Sequence, residues 1–423
     1  MHPVLRMIGI IVVFVVSTVA WLTLGGITQG RTNKQTYEME GQITELWGTP
    51  QVQRAPTLVF RWVTEEPFTR TETKDGKAVE VRGVNRIDHE VLRLPASTDV
   101  EAKLTLDPRR KGLVWYALYD VDMSGAWTYR HDRDEAGWLD VSFAFPDQQG
   151  IYDNFTFVIN GVDRARELVP ENGLVTARVT VNPGDVVSVG AGYKSRGRDE
   201  WRYSPTNSVS NLEDFHVSVL TDFADIDFPT QTMSPSTKTQ DGTGWRLDWD
   251  FAQVVTGYGV GMVMPQRVQP GELATELSFS APVSLFFFFL VIFMLSMMRG
   301  IEIHPINYAL IAGAFFAFHL LFAYSADHLP VEQAFGLSSV VSVGLVVSYL
   351  RLVVSSRFAF VEAAIAQLIY LVGFSLAHFF DGFTGLTVTV LSIATLFLLM
   401  QLTGRVRWSE ALARSNEAPT PKA

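Results

Sequence analysis

The fold is decided by the stretch LSFSAPVSLFFFFLVIFMLSMM, residues 277–298, which contains no charged side chain. A helix needs about 20 apolar residues to cross a hydrocarbon layer roughly 30 Å thick, so this stretch predicts a transmembrane helix. Five other stretches have a similar length and apolar character. The six predicted spans are residues 8–28, 279–298, 306–326, 333–353, 359–380 and 383–403.

The first span follows a short basic start and could be read as a cleaved signal peptide. Its apolar run continues through Trp21, Leu22 and Leu24, which is beyond the ~7–15 residues of a signal-peptide core. Residues 18–20, Thr-Val-Ala, also form a poor cleavage site. We therefore predict that residues 1–30 are an uncleaved membrane anchor.

The short loops between the predicted spans differ in charge. The basic residues that fall on one side are Arg299, Arg351, Arg357, Arg405, Arg407 and Arg414. The opposite loops carry Asp327, Glu332 and Asp381 and no Lys or Arg. Because loops rich in Lys and Arg stay in the cytoplasm, both termini are predicted to be cytoplasmic. Residues 31–276 are then external, which in the inner membrane of a bacterium means the periplasm.

Most of the charge lies in the stretch between the first two spans. The chain has 34 Lys and Arg against 44 Asp and Glu. Residues 277–423 carry seven of each kind and residues 1–30 carry only Arg6, so residues 31–276 are net acidic. This acidity argues against nucleic acid as a partner. The absence of cysteine excludes disulfides, thiolate metal sites and a Cys nucleophile.

Residues 31–276 show the two-residue period of β-strands. Val100, Ala102, Leu104 and Leu106 alternate with polar residues, as expected for a half-buried strand. The same alternation recurs at residues 139–145, 155–159, 175–181, 215–219 and 245–251, and residues 113–121 are apolar on both faces. No βαβ alternation is present, so no parallel sheet is expected. We predict a large all-β, sandwich-like domain with an aromatic core, in one lobe or two, and a helical extension of the first span through residues 32–46.

The predicted organisation is therefore an anchor (1–30), a periplasmic all-β domain (31–276), a bundle of five transmembrane helices (277–404) and a cytoplasmic tail (405–423). The predicted fold class is a polytopic α-helical membrane protein with six spans and a large extracytoplasmic domain between spans one and two.

Several segments resemble the CreD family of inner-membrane proteins, which are also called cell envelope integrity proteins. Residues 47–51 (WGTPQ) and 55–58 (APTL) resemble the family's W-G-x-x-Q and G-P-x-L segments. Residues 109–113 (RRKGL) resemble its R-x-x-G-[IL] strand, which a later Gly125 turn follows, and residues 147–151 (DQQGI) its D-x-x-G-I segment.

The resemblance continues into the membrane spans. Residues 304–308 (HPINY), with Asp327-His328 at the far end of the same span, are similar to the family's H-P-x-Q-Y and acidic-His pair. Tyr370, Asp381 and Arg407-Trp408 fit its remaining spans and end. Ala55, Arg61-Trp62 and Asn307 depart from the pattern, which indicates a divergent member. The resemblance implies a location in the inner membrane and a role in envelope stress or the response to β-lactams, and it implies no reaction.

Two groups of carboxylates are candidates for a catalytic or a calcium-binding site. Asp120 and Asp122 share one face of a strand and could do acid–base chemistry, but no positioned nucleophile accompanies them. Asp222, Asp225 and Asp227 could bind calcium, although their spacing lacks the glycine of a known calcium loop. Residues 257–261 (GYGVG) are better explained by a strand that approaches a neighbouring backbone closely than by a phosphate loop. No catalytic, cofactor-binding or metal-binding residue is therefore predicted.

The candidate functional cluster lies at the outer end of the helical bundle. It comprises His319, Asp327, His328, His378 and Asp381. At about 1.5 Å per residue, Asp327, His328, His378 and Asp381 reach a common depth, while His319 lies deeper and alone. These groups are expected to dock the outer domain or to respond to protonation. The competing interpretation is that they are ordinary polar residues at a membrane interface.

Three functions remain open from the sequence. The preferred one is a non-enzymatic inner-membrane protein for cell envelope integrity or envelope-stress response, whose periplasmic domain acts as a sensor or scaffold. Its partners would be the lipid bilayer and an envelope protein or periplasmic ligand, without a cofactor. The alternatives are a transporter or channel that uses the outer-rim His and Asp groups, and a membrane enzyme that acts on an envelope substrate.

The predicted topology can be tested with single cysteines, because the chain has none to remove. The variant Lys74→Cys should react with a membrane-impermeant maleimide in intact spheroplasts, and Ser415→Cys should react only after lysis. The reverse labelling pattern would contradict the predicted orientation.

Overall fold

The computed structural model describes residues 3–74, 77–111, 114–380 and 382–404. The chain divides into two compact units. The first, here called the membrane unit, comprises Met1–Met39, Arg110–Trp115 and Val268–Ala423. The second, here called the β domain, comprises Glu40–Arg109 and Tyr116–Arg267. The chain thus enters the membrane unit in three separate stretches, and the predicted tail, residues 405–423, lies outside the described residues.

Within the described residues, six helices are long and apolar enough to cross a membrane, as the sequence predicts. Their bounds are α1 Pro3–Trp47, α2 Pro270–Met298, α3 Pro305–Ser325, α4 Val331–Val353, α5 Phe358–Phe379 and α6 Thr384–Thr403. Helix α5 contains two π-helical segments, Phe358–Ala363 and Leu368–Gly373, and ends in a 3-10 turn.

Helix α1 is much longer than a membrane span requires. Its 45 residues correspond to about 68 Å at the rise of an α-helix. The predicted extension beyond the anchor is confirmed, and the predicted boundary at residue 30 falls inside a continuous helix. Gly48 follows with a φ of +80°, the left-handed conformation in which glycine commonly ends a helix.

Small residues let α1 approach its neighbours closely within the membrane unit. A Cβ on Gly9 would lie 2.8 Å from Pro305, and one on Gly25 would lie 2.9 Å from the ring of Phe279. Since lipid tails are as apolar as the helices, such close packing, rather than hydrophobic burial, drives helix association in a bilayer. The side chain of Trp21 is fully buried at this contact.

The β domain contains most of the strands. They are β1 Gln51–Arg54, β2 Thr57–Lys74, β3 Lys77–Arg93, β4 Ser97–Leu106, β5 Arg109–Lys111, β6 Val114–Tyr116, β7 Leu118–Arg130, β8 Gly137–Ala144, β9 Asp153–Ile159, β10 Val162–Asp163, β11 Leu174–Val181, β12 Val186–Arg198, β13 Glu200–Ser204, β14 Ser210–Thr221, β15 Thr237–Asp241, β16 Gly244–Thr256 and β17 Val260–Val263. The predicted strand at residues 113–121 is two strands, β6 and β7, with a break at Ala117.

Two large sheets form the sandwich. One has eight strands in the order β10-β9-β12-β7-β4-β14-β16-β15, and the other has four in the order β11-β8-β2-β3. Smaller sheets are β1-β13-β17 and β5-β6. Two strand pairs in these sheets are parallel, β4 with β14 and β1 with β13, and the neighbouring pairs are antiparallel. These partners are distant in sequence and join without a crossover helix, so no βαβ pattern announces them.

The core between the sheets is rich in aromatic residues, as predicted. Trp127, Trp201 and Trp249 are fully buried in one continuous cluster. The indole N–H of Trp127 donates to the hydroxyl of Tyr203 at 2.9 Å, and that of Trp249 donates to a backbone carbonyl at 2.8 Å. These bonds offset the cost of burying the indole N–H groups of Trp127 and Trp249.

The glycine-rich residues 257–261 lie where strands β13 and β17 pair. A Cβ on Gly259 would overlap the carbonyl oxygen of Tyr203, and one on Gly261 would lie 2.7 Å from that of Trp201. The interpretation as a close backbone approach is confirmed.

Gly244 lies in a similarly close contact, because an added Cβ would overlap the carbonyl oxygen of Thr221. Gly244→Ala should lower the free energy of unfolding by about 1–3 kcal/mol, the usual cost of overpacking. The control is Gly190→Ala, whose Cβ would meet its nearest neighbour at an ordinary 3.5 Å. Thermal unfolding of the full chain, followed by tryptophan fluorescence, should separate the two; equal midpoints would contradict the packing.

Candidate functional site

The C-terminal end of α3 is capped by an arginine from a distant part of the chain. Arg110 lies on β5, in the short stretch that belongs to the membrane unit. Its Nη2 donates to the carbonyl oxygens of Ala326 at 2.6 Å and Asp327 at 3.1 Å. The last carbonyls of a helix have no partner inside the helix and carry a partial negative charge. A guanidinium placed there satisfies both requirements.

A second arginine reaches the same helix end from α1. Arg31 forms an ion pair with the Asp327 carboxylate at 3.3 Å and donates to the carbonyl oxygen of Ala323 at 2.9 Å. Its guanidinium also lies 5.0 Å from the centre of the Tyr324 ring. Both charged side chains are about one-quarter exposed, so we expect the ion pair itself to contribute modestly.

A glutamine fixes the stretch that carries Arg110. The side-chain oxygen of Gln269 accepts from the backbone N–H of Trp115 at 2.9 Å, and its Nε2 donates to the backbone carbonyl of Trp115 at 2.9 Å. Gln269 is the residue immediately before α2. We call Arg31, Arg110, Gln269 and Asp327 the collar, because together they join α1, α2, α3 and residues 110–115.

The described residues of the predicted cluster lie in different surroundings. Asp327 is in the collar and partly buried, and His328 beside it is exposed. His319 and His378 are buried, and each hydrogen-bonds through Nδ1 to the carbonyl four residues earlier. His319 also packs against Trp21, with ring centres 5.6 Å apart. Asp381 lies outside the described residues.

The functional role of the predicted cluster stays a prediction.

The sequence analysis did not identify Arg31, Arg110 or Gln269 as site residues. The available signals were weak: Arg31 is the first charged residue after the apolar run of α1, and Arg110 falls within a segment that resembles the family. Their partners are more than 150 positions away in the chain, and no local pattern encodes such a pairing.

A second candidate site is a polar pocket in the β domain, with a volume of about 820 Å³. Its floor is the outward face of strands β4, β7, β12 and β9, whose inward residues form the core. The charged residues that line it are Lys103, Asp120, Asp122, Asp147, Asp153, Lys194 and Arg196. The pocket lies in the size range of ligand sites.

One wall of the pocket is held by a hydrogen-bonded turn. The Asp147 carboxylate accepts from the hydroxyl of Thr49 and from the backbone N–H of Gln149, both at 2.9 Å. Tyr152 donates its hydroxyl proton to the carbonyl of Asp147 at 2.8 Å. Burial raises the pKa of Tyr152 to about 12, so the phenol keeps this proton at physiological pH. The wall is therefore formed before any ligand arrives.

The aspartates weighed as an acid–base pair are both at the pocket floor. Asp120 pairs with Arg196 at 3.0 Å and Asp122 with Lys194 at 2.8 Å. The hydrogen bond that Lys194 donates to Asp122, together with the negative charge of Asp122, raises the pKa of Lys194 above its usual value, so Lys194 is charged near neutral pH. The arrangement presents fixed charges of both signs.

Two of the three aspartates considered for calcium accept backbone hydrogen bonds. Asp222 accepts from the backbone N–H of Leu106 at 2.9 Å, and Asp227 from that of Phe228 at 2.8 Å. Across the described ranges, no three His, Asp or Glu side chains converge as a metal site would require. Glu362 pairs with Arg299.

Together, these features define a polytopic α-helical membrane protein with a large β-sandwich-like domain between its first and second spans. A family model described as "Inner membrane protein CreD" matches residues 281–409, so this part of the chain is similar to the CreD family. The match begins inside the second span and continues past the sixth, and over these residues it supports the resemblance seen in the sequence. The motifs that resemble the family in the β domain lie outside the matched residues.

Other comparisons add little. No curated protein matches the chain. Among solved structures, the crystal structure of a "putative nutrient binding protein" from Legionella pneumophila shares 8% identity with the chain. The similarity covers 44% of this chain and 72% of that one, with a TM-score of 0.28, which is too low to support an argument about fold or function.

The collar generates a stability prediction. Arg110→Ala should lower the free energy of unfolding by about 1–2 kcal/mol, because it removes two charge-assisted hydrogen bonds from partly buried carbonyls. The matched control is Arg109→Ala, whose exposed side chain pairs with Asp107. Melting curves of the full chain in nanodiscs would show the difference, and indistinguishable curves would argue against the cap.

Proposed function

We propose that this chain is a non-enzymatic inner-membrane protein that serves cell envelope integrity or the envelope-stress response, with its β domain as a sensor. In this proposal both termini are cytoplasmic and residues 31–276 are periplasmic, as the loop charges favour. The CreD match supports the membrane location and the connection with the envelope.

The observation that carries the proposal is the shape of one hairpin. Strands β4 and β7 pair from Ser97↔Thr128 to Leu106↔Tyr119. Both contribute to the pocket floor, with Lys103 and Asp122 on opposite strands. The connection between the same two strands contains Arg110, which caps α3.

The distance along the chain between these features is short. Thr105 lines the pocket and lies five residues before Arg110, which is at most about 18 Å of extended chain. A ligand that moves or stiffens the hairpin would therefore act directly on the segment that holds the end of α3. This continuity supports a sensing role more than a passive scaffold.

The pocket chemistry supports binding rather than catalysis. Asp120 and Asp122 each already form an ion pair with a basic side chain. The hydroxyl of Ser195 donates to the carbonyl of Ile151 at 2.9 Å and accepts from Gln51 at 3.1 Å. A nucleophile needs a neighbouring base that takes its proton, and here the proton is committed to a carbonyl.

The test is complementation of a strain that lacks the gene, challenged with envelope stress. Arg110→Ala, produced at normal abundance, should lose the stress response because the hairpin no longer holds α3. Arg109→Ala is the control and should complement fully.

Crosslinking in intact cells should also recover a defined envelope partner with the control and less of it with Arg110→Ala. Full complementation by Arg110→Ala would contradict the sensing route, since the cap would then be dispensable.

A further inference from the structure

The pocket floor carries a row of four charged residues that crosses four neighbouring strands. In the strand registers, Lys103 on β4 faces Asp122 on β7, Asp122 faces Lys194 on β12, and Lys194 faces Asp153 on β9. The charges alternate along the row, and all four side chains line the pocket.

The two inner members of the row satisfy each other. Asp122 and Lys194 form an ion pair at 2.8 Å. The side chains of Lys103 and Asp153, by contrast, have no ion pair or hydrogen bond within the part of the chain that the structure describes. Both are exposed to the pocket. The row therefore ends in a free positive charge on one side and a free negative charge on the other.

The separation of the free charges follows from sheet geometry. Three steps between neighbouring strands, at about 4.8 Å each, place the backbones of Lys103 and Asp153 about 14 Å apart. An extended peptide advances about 3.4 Å per residue, so roughly four residues span the same distance.

We infer that the pocket binds a short zwitterionic peptide of about four residues, laid across the strands with its carboxylate at Lys103 and its ammonium group at Asp153. This inference rests on the proposed sensing function and names the class of ligand. The inner pair, Asp122 and Lys194, and the nearby Asp120–Arg196 pair offer partners to the polar groups of the peptide backbone.

Other ligand chemistries fit less well. A polyanion would meet the four lining aspartates, and a polycation would meet Lys103, Lys194 and Arg196. An apolar ligand would have to desolvate the charged floor at a large cost. A molecule with one charge of each sign at its ends avoids all three penalties.

The test uses four tetra-alanine peptides and the full chain in nanodiscs, with binding measured by calorimetry. One peptide has both termini free, one has only the amino end blocked, one has only the carboxyl end blocked, and one has both ends blocked. The zwitterion should bind most tightly, and each blocked end should weaken binding by up to about fivefold, the upper range for a partly exposed ion pair. Dialanine, which is too short to reach both charges, should bind no better than the doubly blocked peptide.

Variants assign each end of the peptide to its residue. Lys103→Gln should remove the penalty for blocking the carboxyl end and leave the penalty for blocking the amino end, and Asp153→Asn should do the opposite. Glu101→Gln, on the same strand but outside the pocket lining, is the control and should keep the wild-type pattern.

Equal affinity for the zwitterion and the doubly blocked peptide, or no binding of any peptide, would overturn the inference. Those results would leave the proposed function intact if Arg110→Ala still loses complementation. Conversely, normal peptide binding with full complementation by Arg110→Ala would refute the sensing route while the ligand assignment stands.

Discussion

The backbone carbonyls at the end of α3 need hydrogen-bond donors that α3 itself does not supply. Arg110 and Arg31 supply the missing donors, and each comes from a part of the chain remote from α3. The last carbonyls of a helix need donors, so these two contacts stabilise the bundle through residues from α1 and from the stretch inserted between β4 and β7. The cap of α3 therefore comes from parts of the chain that are not adjacent to α3 in sequence.

The two-residue period of a strand allows the same hairpin to serve two purposes. Along β4, Val100, Ala102 and Leu104 face the core, while Lys103 faces the pocket. A rigid, aromatic core on one face holds the charged face in place, because buried side chains in close-packed interiors have little freedom. The charged groups of the pocket floor are thus positioned by apolar side chains packed on the opposite face of the same strands.

The spans and most strands were predictable because each follows from a local rule: hydrocarbon thickness sets helix length, and one-sided burial sets alternation. The parallel pairing of β4 with β14 was not, since strand periodicity carries no information about direction. The long β2–β3 ribbon was also missed. Of the collar, only Asp327 was anticipated, because its polar character was visible in a loop, while its arginine partners are joined to it only in three dimensions.

The side-chain amide of Gln269 bonds the backbone N–H and C=O of Trp115, as the backbone of a neighbouring strand would. A primary amide has the same donor and acceptor as a peptide group, so Gln269 offers residue 115 what a neighbouring strand would offer. Glutamate has nearly the same shape but no N–H, and asparagine is shorter by one methylene. Of these three side chains, only glutamine makes both hydrogen bonds at this reach, so natural variation at position 269 should be narrower than its place in a polar linker suggests.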